Sequence, residues 1–120
     1  MKSQYHAIFS STGAPDAPED VKLVPFQVPG AKTVCVNVSW TPGYNGGFRQ
    51  WFSILYHKKE SGGDFTEEFV GSPPNSMHTV QNLSPNTEYD FKLHATNERG
   101  KGAASPLAQV MTKGNNCILC

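Results

Sequence analysis

Hydrophobic and polar residues alternate along this chain in short runs. The longest run lies between Asn82 and Gly100: Tyr89, Phe91, Leu93 and Ala95 fall on one side, and Asp90, Lys92, His94 and Thr96 on the other. A period of two is the mark of a strand with one face in a core and one in water. Between Thr33 and Thr41 the apolar set is Val34, Val36, Val38 and Trp40, and the opposite set is Cys35, Asn37 and Ser39. Four large residues on one face predict a central strand, with Trp40 in the middle of the core. A third run places Phe52, Ile54 and Tyr56 inward, with Trp51, Ser53 and Leu55 on the other face. Val21 and Leu23 predict a short edge strand, broken by Pro25, Pro29 and Gly30. Further strands are expected over Phe65–Val70, Ser76–Leu83 and Ala104–Thr112. Between them lie the segments His57–Gly63, Ser72–Asn75 and Asn97–Gly102, all rich in turn-forming residues. No helical period appears.

Length and composition narrow this picture without redirecting it. A chain of 120 residues forms one domain and buries enough surface to hold a core without staples. Lys plus Arg and Asp plus Glu number 10 each, so no net field draws nucleic acid or an anionic membrane. No stretch is apolar over the roughly 18 residues a transmembrane helix needs. The N-terminus lacks the apolar segment of a signal peptide, so the signal lies elsewhere in a longer parent or the protein is not secreted. There are 3 Cys, two of them within the last four residues, which is no disulfide framework. Packing alone is expected to hold the core. Residues 1–13 read as a leader or tag, residues 14–113 as the domain and residues 114–120 as a flexible tail.

The order of these motifs carries a resemblance. In NLSPNTEYDFKLHATN, the residues Leu83, Pro85, Thr87, Tyr89, Ala95 and Asn97 match the pattern Leu-x-Pro-x-Thr-x-Tyr-x-x-x-x-x-Ala-x-Asn. This resembles the E–F corner and F strand of fibronectin type III domains. The Val-x-Val-x-Trp run ending at Trp40 is similar to their strand B. The resemblance extends from about Pro15 to Thr112. It implies an all-β, seven-stranded immunoglobulin-like sandwich, with sheets A-B-E and C′-C-F-G. It also implies a tyrosine corner, in which the Tyr89 hydroxyl bonds backbone a few residues upstream. Trp40, Tyr56, Leu83 and Tyr89 are the expected structural core. The last strand departs slightly, because Ser105 and Pro106 stand together where the family has an intervening residue. The stretch WTPGYNGGFRQWFSILY resembles modules of neural immunoglobulin-superfamily adhesion proteins, the turtle-like group above all. No Trp-Ser-x-Trp-Ser motif of cytokine receptors precedes strand G.

Candidate chemistry is sparse. His6, His57, His78 and His94 lack metal-ligand spacing and read as surface histidines. No nucleophile elbow, phosphate loop or dinucleotide fingerprint occurs, and the adjacent Glu67 and Glu68 point to opposite faces of a strand. No enzyme and no cofactor or metal are expected. Two N-glycosylation sequons, Asn37-Val38-Ser39 and Asn82-Leu83-Ser84, make Asn37 and Asn82 candidate glycan sites, although Pro85 works against the second. The tail Cys117-Ile118-Leu119-Cys120 reads in four ways: a prenylation box, a redox or half-zinc pair, a C-terminal peptide for a PDZ-type groove, or a cloning remnant, which we prefer.

The outward aromatics matter most for function. Trp51 and Leu55 face away from the core row, and Tyr44 and Phe48 lie in the adjoining BC loop. With Arg99 and Lys101 of the FG loop, they form the expected protein-binding set. The competing reading is that neighbouring side chains cover Trp51, or that a bulge turns it inward. The expected function is a spacer and protein-binding module in the extracellular part of a single-pass cell-surface protein, binding a protein partner, a second copy included. Neither nucleic acid nor membrane is expected to touch it. The alternatives are an intracellular structural module of a giant muscle-type protein, an engineered binding scaffold, and a thiol-redox enzyme using Cys117 and Cys120.

Overall fold

The computed structural model describes residues 13–113. The expectations for the leader up to residue 12, for His6 and for Cys117–Cys120 lie outside them. The chain forms β1 (Glu19–Phe26), β2 (Val34–Thr41), β3 (Trp51–Lys58), a single 3₁₀ turn (Lys59–Ser61), β4 (Thr66–Gly71), β5 (Met77–Leu83), β6 (Glu88–Asn97), β7 (Gly100–Ala104) and β8 (Ala108–Met111). One sheet has the order β1-β2-β5. The other runs β4-β3-β6-β7, with β8 also paired to β6. All pairings are antiparallel.

The two inner faces are those the alternation predicts. Val34, Val36, Val38, Ile54, Val80, Phe91, Leu93 and Ala95 are wholly buried, and Trp40, Phe52, Leu83 and Tyr89 nearly so. Each fully buried Val, Leu, Ile or Phe contributes about 1.5–3 kcal/mol. Trp40 packs on Phe52 across the sandwich, with ring centroids 5.3 Å apart. Tyr56 is only half-buried. It closes the edge of the core, stacked on Phe91 at 5.5 Å.

The tyrosine corner is present. The Ser84 N–H donates to the Tyr89 hydroxyl at 2.9 Å. Thr112, fully buried just after β8, locks the same corner: its hydroxyl donates to the Ser84 carbonyl at 2.5 Å and accepts from the Thr87 N–H at 3.1 Å.

Three local expectations need correction. Pro25 does not end the first strand, which continues to Phe26. β1 is an edge strand, and an edge proline costs a ladder bond only on one side. The FG segment is not a six-residue loop. Asn97 pairs with Gly100, leaving a two-residue turn and placing Lys101 inside β7. The Asn97 side chain makes this tightness feasible, because its Oδ1 accepts the Arg99 N–H at 2.7 Å. The last strand is split in two at Ser105-Pro106. There Ser105 replaces the regular ladder: its N–H donates to the Leu93 carbonyl at 2.7 Å and its Oγ accepts the Leu93 N–H at 2.9 Å.

Candidate functional surface

The register of the larger sheet decides which residues share its outer face. Phe52 and Ile54 are in the core, so Trp51, Ser53, Leu55 and His57 of β3 face outward. Their partners follow from the pairing. Trp51 lies opposite Thr96, which pairs onward with Lys101; Ser53 lies between Phe69 and His94; Leu55 lies between Glu67 and Lys92; and His57 lies opposite Asp90. The expected residues Trp51, Leu55 and Lys101 therefore stand on one face. Trp51 and Leu55 are half-buried, so neighbours cover them in part, but Trp51 is not turned into the core. The ladder irregularity falls one residue later, between Phe52 and Ser53.

The loops at one end extend this face. Phe48 of the BC loop lies under the Arg99 guanidinium, 5.1 Å from the ring centre. Asn97, only 2% exposed, fixes that approach. Its Nδ2 donates to the carbonyls of Gly13 and Asn45 at 2.7 and 2.8 Å, joining the segment before β1, the BC loop and the FG turn. Gly46 is required here, since its φ is +77° and a Cβ would run into the Gly13 carbonyl. Tyr44 is exposed, and its carbonyl is held by the Asp16 N–H at 2.8 Å. It thus belongs to the contact with the segment preceding β1.

Several members of this surface escaped the sequence reading. Phe69 is 65% exposed, the most open large apolar side chain among the described residues. Phe65 stacks on His57, with centroids 3.9 Å apart, and the Lys92 ammonium lies 4.4 Å from the same ring. The spacing Phe65, Glu67, Phe69 was the available signal, because these three share one side of a strand.

The polar side of β6 was expected to face water, and His57, His78 and His94 were expected on the surface. Asp90 and His94 are instead buried, at 8% and 5% exposure. The reason is that neighbouring strands crowd both residues: His57 of β3 and Gln109 of β8 flank Asp90, and Glu67 of β4 and Ala104 of β7 lie about His94. His57 lies between two acceptors, the Gly63 carbonyl on Nδ1 at 2.8 Å and Asp90 Oδ2 at 3.1 Å on Nε2. His94 has no hydrogen-bond partner on either nitrogen, with Glu67 Oε2 at 3.5 Å from Nε2. Burial therefore lowers its pKa below the ordinary histidine value, with Lys101 and Lys92 adding to the shift and Glu67 opposing it. His78 is half-buried and hydrogen-bonded to Glu68 at 2.7 Å, a contact that bridges the edges of the two sheets.

The two glycan candidates occupy different settings. Asn37 sits half-buried in the middle strand β2, and its Oδ1 accepts the Thr79 hydroxyl at 2.5 Å. Asn82 is exposed at the end of β5, with φ of +64°. Cys35 is a free, half-buried thiol. Among the described residues, no group of three or more His, Cys, Asp or Glu could hold a metal ion, and no helix is long and apolar enough to cross a membrane.

Comparison with known proteins agrees with this geometry. The profile of the fibronectin type III domain matches residues 16–111. Protein turtle homolog B of Homo sapiens is 34% identical over 99 residues, 82% of this chain. Contactin-2 of Mus musculus is 34% identical over 100 residues, 80% of the chain. The chain spans about 7% of the length of the former and 10% of the latter. The crystal structure of the FN5 domain of Drosophila Lar superposes with a TM-score of 0.60 at 25% identity, covering 85% of this chain and 100% of that domain.

Proposed function

This chain belongs to the fibronectin type III domain family, and from that premise we propose that it is a non-catalytic protein-binding module in the extracellular part of a single-pass cell-surface adhesion protein. It binds through the outer face of the β4-β3-β6-β7 sheet and spaces its neighbours along the parent chain. The observation that carries this reading is the placement of Trp51, Leu55, Phe65 and Phe69 on one sheet face, interleaved with Glu67 and Lys92 and bordered by Lys101. Exposed aromatic residues are favoured anchors of protein contact surfaces. The similarity to Protein turtle homolog B and contactin-2 supports the adhesion setting.

The partner is a protein, and a second copy of the module is included among the partners to be tested. Coating fluorescent beads with the chain and counting clusters, alone and mixed with beads bearing turtle homolog B ectodomain, tests the reading. Clustering that Trp51→Ala or Phe69→Ser abolishes is the expected result. Clustering unaffected by both variants would remove this face from the account.

A further inference from the structure

The two sheets leave a groove along one side of the sandwich, between the edge strands β4 and β5, spanned at one point by the His78–Glu68 contact. Its volume is about 800 Å³, within the roughly 300–1,000 Å³ of ordinary ligand sites. Tyr56 stands in its wall, and Asp64, Glu68, His78 and Gln81 supply polar groups along it. Asn82, an exposed sequon asparagine, lines the same groove.

We propose that Asn82 is the glycosylated one of the two sequons and that the first sugars of its glycan lie in this groove. The proposal rests on the extracellular reading, because the donor is found only in the secretory lumen. In the transfer, Asn82 Nδ2 bonds to C1 of the N-acetylglucosamine of a lipid-pyrophosphate-linked oligosaccharide. The C1–O bond to the pyrophosphate breaks, the lipid pyrophosphate leaves, and the amide proton passes to a base of the transferase.

Geometry separates the two candidates and favours Asn82, although Pro85 works against its sequon. An attached sugar at Asn82 meets solvent on one side and the groove on the other. At Asn37 the side chain is flanked by strands on both sides and is bonded to Thr79, so a sugar there would be forced flat onto the sheet. The groove also suits a pyranose chemically. The Tyr56 ring offers an aromatic surface beside its hydroxyl, and burial, with the Glu68 charge adding to it, pushes the pKa of that hydroxyl up. The carboxylates and amides around it match sugar hydroxyls and an N-acetyl group. A glycan lying here would cover the unpaired edges of β4 and β5, the parts of an open sandwich most prone to pairing with another chain.

The test is to secrete the chain from a mammalian cell behind an appended signal peptide and to measure site-resolved occupancy by mass spectrometry. Routing the chain through the lumen makes the result independent of where it normally resides, so the extracellular reading can fail separately. The expected result is occupancy at Asn82 several-fold above that at Asn37, removed by Asn82→Gln and unaffected by Asn37→Gln. Enzymatic removal of the glycan should then shift the NMR resonances of Tyr56, His78 and Gln81. An empty Asn82, or an Asn37 that is the more occupied site, would overturn the assignment. An occupied Asn82 whose glycan removal leaves Tyr56 and His78 unshifted would overturn the groove as its seat.

Discussion

The Arg99 guanidinium lies 5.1 Å from the centre of the Phe48 ring, so the turn after β6 and the loop before β3 meet at the end of the sheet that bears Trp51. An exposed cation–π pair contributes about 0.5–1 kcal/mol. Arg99→Ala should therefore lower stability by less than about 1 kcal/mol in urea unfolding. Its effect on bead clustering should be larger, because the same group lies beside the proposed contact. A stability loss well above that value with clustering unchanged would make Arg99 purely structural.

Asn97 should behave in the opposite way. Its buried amide donates to two carbonyls on separate segments and accepts one backbone N–H. Removing it with Asn97→Ala leaves buried carbonyls unpaired, at about 1–3 kcal/mol for an orphaned group. Urea unfolding should show a loss of about 2–6 kcal/mol, the sum of two such terms. A change below about 0.5 kcal/mol, the range of neutral surface substitutions, would contradict the linking role.

The E–F corner admits a similar measurement. Tyr89→Phe keeps the ring and deletes the acceptor of the Ser84 N–H. The expected cost is about 1–2 kcal/mol, read from the urea midpoint at constant slope. An unchanged midpoint would show that water replaces the hydroxyl at no cost.

His94 makes stability depend on pH. Its pKa is lowered in the folded chain, so the unfolded chain binds the proton more readily. Its contribution is fully present above the unfolded value, about 6.5, and is lost as pH falls from there toward the folded value. In that window stability should fall by up to about 1.4 kcal/mol per pH unit. The groups facing it are Glu67, Lys92 and Lys101. Subtracting the His94→Gln profile from that of the natural chain, between pH 8 and 5, should isolate this slope. Parallel profiles would contradict it.

The sandwich could be read from the chain because burial here follows strict alternation. Val34, Val36, Val38 and Trp40, then Tyr89, Phe91, Leu93 and Ala95, all fall on the predicted side. The other side of β6 was misread for a physical reason. Alternation says that Asp90 and His94 point away from the core, but which strands flank them is a matter of register. Only the flanking strands reveal that Asp90 and His94 are covered while Phe69 on the same face stays open. Phe69 was overlooked for the same reason, since its distance from Trp51 along the chain conceals that both lie on one face. Trp51 and Leu55 were placed correctly because their own strand carries the signal.

The central claim is that the face bearing Trp51 and Phe69 meets a protein. A photo-reactive phenylalanine analogue can be placed at Phe69 on one face or at Val24, 57% exposed, on the other. The domain is then displayed on cells that carry turtle homolog B and irradiated. The account predicts a discrete crosslinked protein from position 69, lost in the Trp51→Ala background, and none from position 24. Crosslinking from position 24 with position 69 silent would contradict it.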